Sequence, residues 1–160
     1  MEHLERAKKL LNIQCVNLKE CKTIVADSID VTTLDMAETK TQNFRKIVEV
    51  EESETQQEDD AREYRFIYAV GARIIRAQDE SESQEEDFVP LIEVMAIFSA
   101  RYFSEEQVSE EELSAFAEEN VGYHVWPYWR EFVQSMCARI DLSPPIKVPF
   151  YFVTNTAEED

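Results

Sequence analysis

The side chains best suited to metal or nucleophilic chemistry are two histidines, His3 and His124, and three cysteines, Cys15, Cys21 and Cys137. Metal sites gather several such ligands at short, characteristic spacings, and neither histidine has another strong ligand at such a spacing. Cys137 and His124 are thirteen residues apart on or near one predicted helix, several turns from each other, so they do not form a nucleophile–base pair. We therefore predict no metal and no enzymatic activity.

Other catalytic and cofactor-binding motifs are missing from the sequence. The chain has only two glycines, no glycine-rich phosphate loop and no nucleophile elbow, so we predict no cofactor. Cys137 falls on an apolar helical stripe, which favours a buried thiol over a nucleophile. An odd, sparse set of cysteines indicates reduced thiols rather than a disulfide framework.

The net charge of −18 over 160 residues argues against nucleic-acid binding, which needs clustered Lys and Arg. Residues 1–50 hold 8 acidic and 8 basic side chains, so all of the excess lies later, in acidic runs at 51–60, 79–87 and 105–119. These runs are typical of solvated surfaces, and they would also suit a basic partner. No apolar run approaches the roughly 18–20 residues of a membrane span, and the N-terminus lacks a signal-peptide core. We predict a cytoplasmic protein without membrane insertion.

Hydrophobic periodicity predicts a short N-terminal helix at 2–11, then strands, then helices. Four strands follow the first helix, and a polar connection at 27–42 separates the first two. The third strand is the clearest, because Tyr64, Phe66 and Tyr68 begin a row on one face. In the fourth strand, Phe88 and Tyr102 fall on one face and Leu91 and Phe103 on the other. The predicted strands are 13–25, which is irregular, 43–52, 63–77 and 88–103.

Two helices are predicted within 109–141. Ser109 and Glu112 have the spacing of a capping box. Asn120 and Gly122 then interrupt the first helix, and Pro127 suits the first turn of the second. A prolyl pair ends that helix, followed by an extended apolar segment at 146–153 and an acidic tail at 154–160. The second helix carries an apolar stripe formed by Trp129, Phe132, Val133, Met136, Cys137 and Ile140.

Strands followed by helices predict a single α+β domain over 1–160. Its four-stranded antiparallel sheet, at 13–103, has the C-terminal helices packed on one side. The other face of such a sheet would leave an apolar patch in a monomer, so we expect the chain to oligomerise.

The helical motif resembles the SecB family of protein-export chaperones. The resemblance lies in Trp-Pro-Tyr-Trp-Arg-Glu-Phe-Val at 126–133, then Ser135-Met136, Ala138-Arg139, Leu142 and a Pro-Pro pair, and weaker similarity covers about 12–153. It implies a homotetramer, a dimer of dimers, that binds unfolded polypeptides in hydrophobic grooves without ATP. As groove candidates we take Tyr102, Phe103, Tyr123, Trp126, Tyr128 and Trp129.

The resemblance also implies docking on the translocase motor SecA, through acidic and apolar residues of the sheet. Leu91 and Glu93 match the family's Leu-x-Glu-Val segment, and Glu20 matches an acidic position of the first strand. Ile24 stands at a second acidic position, and Met95-Ala96 replaces the usual pair of glycines. These departures weigh against SecA docking.

Two alternatives remain open. Ser109 to Leu113, followed by Phe116-Ala117, looks more like the SecB-like chaperones of toxin–antitoxin systems, which would make the chain a dedicated antitoxin chaperone. A chain whose aromatics are all buried would instead be a passive oligomeric adaptor.

Overall fold

The computed structural model describes residues 1–56 and 60–151. The predicted acidic tail at 154–160 lies outside the described residues. Short 3₁₀ turns occupy the loops before β2 and β4. The elements, in chain order, are α1 (Glu2–Leu10), β1 (Asn12–Val25), β2 (Thr39–Glu54), β3 (Arg62–Arg76), β4 (Ile92–Ser104), α2 (Glu110–Phe116), a π-helical turn (Ala117–Val121) and α3 (Gly122–Arg139).

The four strands form one antiparallel sheet, as the sequence predicts, and their order in it is β1-β4-β3-β2. β3 and β4 are its centre, and β4 alternates buried and half-buried residues along its whole length, the period expected of a strand with one face in the core. The polar connection ends earlier than predicted, because β2 already begins at Thr39.

The helices cover one face of the sheet, called here the helix-side face, and α3 contacts β1, β4 and β3. α1 packs against α2. The opposite face is called the open face. The predicted alternation of β3 is confirmed, since its aromatic row enters the core. Core residues from the sheet and α3 include Tyr64, Phe66, Tyr68, Val70, Val94, Phe98, Tyr102, Val125, Trp129 and Val133.

The fourth strand begins four residues later than predicted. The predicted faces of Phe88 and Leu91 are therefore wrong. Leu91 and Phe88 lie in a loop, where strand alternation does not apply. Leu91 joins the helix-side core, although its parity placed it with Glu93 on the other face. Phe88 instead lies 5.5 Å from the guanidinium of Arg73, which pairs with Glu93 on the open face.

β1 is an edge strand with two bulges, which explain its irregular sequence pattern. The pairing with β4 shifts between Ile13 and Cys15 and again between Leu18 and Glu20. Each bulge adds one residue and changes the face on which the following side chains lie. Ile13 therefore lies opposite Tyr102 on the helix-side face, whereas Cys15 lies opposite Arg101 on the open face.

The predicted capping box at the start of α2 is present. The Ser109 hydroxyl accepts a hydrogen bond from the Glu112 amide, and the Glu112 carboxylate accepts one from the Ser109 amide. The same carboxylate is buried and lies 2.9 Å from Nη1 of Arg6. The Glu112 side chain therefore caps the N-terminus of α2 and links α1 to α2.

The predicted break between the two C-terminal helices is wrong. A π-helical turn carries the chain from α2 into α3, and Gly122 is the first residue of α3 rather than a breaker. Pro127 is therefore the sixth residue of α3 and lies inside it. A proline there cannot donate to the carbonyl of Tyr123, so that carbonyl lacks its usual helical partner.

α3 ends at Arg139, and Asp141, two residues later, has a φ of 58°, the left-handed geometry that commonly follows a helix end. The segment after the two prolines, predicted to be extended and apolar, is not part of the sheet. The described residues 145–151 pair with no strand. Ile146 is buried and Val148 packs against the core, so this segment lies along the helical layer.

Candidate functional site

The first half of α3 presents aromatic side chains to solvent. Tyr123 is 64% exposed and Tyr128 is 49% exposed, and Pro127 between them is also exposed. A cavity of about 320 Å³ opens beside them. Its lining is Tyr123, His124, Trp126, Pro127, Arg130 and Tyr151.

Trp126 forms the wall of this cavity and is only 8% exposed. Its indole Nε1 donates a hydrogen bond of 2.7 Å to the carbonyl of Pro149, and its ring centroid lies 5.5 Å from that of Tyr151. An indole N–H needs an acceptor when it is buried. Here the acceptor comes from the extended C-terminal segment.

Arg45 of β2 lies against two of the residues that line this cavity, Trp126 and Tyr151. Its guanidinium carbon lies 4.5 Å from the ring centroid of Tyr151 and 5.8 Å from that of Trp126, both within cation–π range. Arg45 also interacts with Tyr68, whose pKa burial raises to about 12. Sequence reasoning missed Arg45 and Tyr151, because only the pairing of β2 with β3 brings Arg45 beneath α3.

Two of the predicted groove residues lie in the core of the chain. Tyr102 is fully buried, and its hydroxyl lies 2.9 Å from Nδ1 of His124. Trp129 is 1% exposed and stacks on Phe132 with a centroid distance of 6.1 Å. In this conformation neither side chain offers surface to a ligand.

Phe103 is separated from the other predicted groove residues by the sheet itself. It pairs with Glu63 and Asn12 and is half-buried on the open face. The structure thus brings Tyr123 and Trp126 together at the cavity and places Tyr128 beside it on α3, whereas the other three predicted residues lie elsewhere.

The residues that the resemblance connects with SecA docking are also divided. Glu20 and Glu93 pair with β4 and β3 positions of the open face, and Glu93 lies 3.4 Å from the Lys22 ammonium. Leu91 is buried in the helix-side core, so the single chain exposes almost none of it for docking.

The open face also holds a larger cavity, of about 510 Å³. Phe44 lies across the backbone of Gly71 there, where a Cβ would overlap its ring. Most of the lining is polar or charged, and Phe44 is 43% exposed. The lining residues are Gln42, Asn43, Phe44, Ala72, Arg73, Gln84, Glu93 and Met95.

The structure places the two residues considered for nucleophilic chemistry in unsuitable surroundings. Cys137 is fully buried, and burial raises the pKa of its thiol, the opposite of what a nucleophilic thiolate needs. Burial lowers the pKa of His124, whose Nδ1 is occupied by Tyr102. Over residues 1–56 and 60–151, no three His, Cys, Asp or Glu side chains are grouped as a metal site would require. No helix in the same ranges has the length and apolar character to cross a membrane.

Comparison with protein-family models and with curated proteins finds no match. Among solved structures, the chain is similar to a Mycobacterium tuberculosis SecB-like chaperone in complex with a ChAD peptide from the HigA1 antitoxin. The TM-score is 0.66 at 18% sequence identity, and the match covers 95% of this chain and 98% of that one. The resemblance expected from the helical motif is therefore confirmed at the level of fold: the chain has the fold of the SecB-like chaperones.

Proposed function

We propose that this chain is an ATP-independent chaperone that binds an extended segment of a non-native polypeptide along the first half of α3. The observation that carries the proposal is the exposure of Tyr123 and Tyr128 beside a cavity walled by Trp126, in a SecB-like fold. Exposed aromatic surface on a folded protein marks an interaction site. Aromatic side chains bury large areas with little loss of conformational entropy.

The acidic surface supports the same role. The excess of 18 negative charges keeps a loaded chaperone soluble and favours basic over acidic client segments. Burial of apolar client surface, at about 25 cal/mol per Å², would supply affinity, offset by the entropy lost in ordering the client.

The test is suppression of aggregation. A chemically unfolded enzyme is diluted into buffer with and without the purified protein, in the absence of ATP, and light scattering is followed. We expect scattering to fall in proportion to the chaperone added. Unchanged scattering at a stoichiometric excess of the protein would contradict the proposed chaperone activity.

A second candidate is a dedicated antitoxin chaperone, and the specific observation that favours it is the antitoxin peptide bound to the similar structure. A dedicated chaperone should bind its antitoxin far more tightly than unrelated unfolded chains, whereas a general one should bind both alike. Titrating the purified protein with candidate antitoxins and with an unrelated unfolded protein separates the two.

Delivery of clients to SecA, a cytoplasmic location and a homotetrameric dimer of dimers belong to the same proposal. Glu20 and Glu93 are the docking positions that the open face can offer. Light scattering coupled to size exclusion gives the mass of the assembly. An apolar fluorescent dye separates the chaperone from a passive adaptor, because an adaptor with all aromatics covered would bind almost none.

A further inference from the structure

A slot for one aromatic ring lies between α3 and β2, and Tyr151 occupies it. The ring of Tyr151 is above the Arg45 guanidinium at 4.5 Å and beside the Trp126 ring at 5.5 Å. Its hydroxyl lies 3.4 Å from the Glu119 carbonyl, to which it donates a hydrogen bond. One residue of the chain thus contacts the π-helical turn, α3 and β2 together.

Gly122 makes the slot possible. A Cβ at this position would overlap the ring of Tyr151, so the ring lies directly on the backbone at the start of α3. Gly122 is helical, with φ −58°, and any residue could adopt that geometry. The physical reason for glycine here is therefore room for a ring rather than backbone freedom.

Residues 149–151, which include Tyr151, contact the helical layer in the way that a bound extended peptide would. It pairs with no strand, and its Pro149 carbonyl accepts the hydrogen bond of Trp126 at 2.7 Å. Phe150 between them is 73% exposed. A backbone carbonyl and a ring two residues later are features that many extended polypeptides can supply.

We propose that this slot, formed by Arg45, Gly122 and Trp126, recognises one aromatic side chain of an extended client, and that Tyr151 fills it until the client displaces residues 149–151. The inference rests on the proposed function and adds the chemical class of the recognised segment. Arg45 sets the preference, because a cation is attracted to an aromatic face and not to an aliphatic side chain.

The attached segment competes with a free peptide at an effective concentration on the order of millimolar. Removing its ring should therefore raise the apparent affinity for a peptide. The probe is a fluorescent, C-terminally amidated Ile-Lys-Val-Pro-Phe-Tyr, which copies residues 146–151, and its binding to full-length chains is measured by anisotropy.

Tyr151→Ala should bind this probe at least about tenfold more tightly than the parent chain, and the same peptide ending in Leu should bind more weakly. Lys147→Ala, which removes an exposed side chain from the same segment, should behave as the parent. Gly122→Ala fills the slot with a methyl group and should bind the probe no better than the parent, although alanine suits a helix better than glycine. Circular dichroism and thermal unfolding verify that each variant is folded.

Equal affinities of the parent and Tyr151→Ala would overturn the inference, as would equal binding of the Tyr and Leu peptides or tight binding by Gly122→Ala. Failure of the proposed function is a different result. If the parent leaves aggregation unchanged while Tyr151→Ala binds the probe tightly, the slot stands and the chaperone role fails. If the parent suppresses aggregation and the variants bind alike, the chaperone role stands and the slot fails.

Discussion

The hydroxyl of Tyr102 lies 2.9 Å from Nδ1 of His124, and this contact joins the buried end of β4 to the first turn of α3. Burial raises the pKa of Tyr102, so its phenol stays protonated, and the imidazole tautomer decides which of the two groups donates the hydrogen bond. Burial lowers the pKa of His124 below its ordinary value of 6.5. The folded chain therefore holds His124 uncharged at neutral pH.

The first prediction is that acid weakens the fold through His124. Because its folded pKa is below its unfolded pKa, the unfolded chain takes up the proton first. The free energy of unfolding should be unaffected by this residue above about pH 7 and should fall as the pH drops through 6.5. Urea denaturation at pH 7.5 and 5.5 measures the loss, and His124→Gln should reduce it. If His124→Gln loses the same free energy of unfolding between pH 7.5 and 5.5, other titratable groups cause the effect.

The second prediction concerns the buried carboxylate that closes α2. Glu112→Ala removes the capping-box acceptor and leaves Arg6 without its 2.9 Å partner, so it should lower the free energy of unfolding by about 1–3 kcal/mol. Glu111→Ala is the matched control, since Glu111 is an exposed neighbour in the same helical turn, and should change stability by no more than about 0.5 kcal/mol. Urea denaturation checks both. Equal effects would exclude the cap as the cause.

The third prediction separates binding from folding on α3. Tyr123→Ala combined with Tyr128→Ala removes two exposed rings, so we expect a small change in thermal stability and a severalfold loss in aggregation suppression. Gln134→Ala, also exposed on α3, should leave suppression unchanged. A double variant that protects clients as well as the parent does would move the client site away from α3.

The fourth prediction is a difference between thiols. Cys21 is exposed, whereas Cys137 is fully buried and burial raises the pKa of its thiol. A thiol reagent at pH 8 should modify Cys21 within minutes and Cys137 only after denaturant is added. Mass spectrometry of the modified peptides gives the rates. Rapid modification of Cys137 in the native chain would mean that α3 detaches readily from the sheet.

Much of the fold could be predicted because single elements carry strong local signals. The aromatic row from Tyr64 to Tyr68 has the period of a strand, and Ser109 with Glu112 has the spacing of a cap, so both were recognisable without tertiary information. β1 was harder to interpret, because its bulges change the face of the strand without changing its composition. Pro127 was misplaced because the π-helical turn lets the helix continue through positions that usually end one.

The site was less predictable than the fold. The aromatic content of the sequence indicates six groove candidates, and two of them, Tyr123 and Trp126, line the cavity. Tyr102 and Trp129 are equally aromatic but buried, and the sequence does not say which aromatics are in the core. Arg45 and Tyr151 lie more than a hundred residues apart in the chain, and only the folded sheet brings them together.

The two glycines have a consequence for how this sequence can change. Both lie at negative φ, and each is covered by a ring, Phe44 over Gly71 and Tyr151 over Gly122. Each glycine and its ring should therefore be epistatic. An added methyl group is harmful while the ring is present and tolerated once the ring is replaced by a small side chain, so substitutions at these paired positions will be accepted in a particular order.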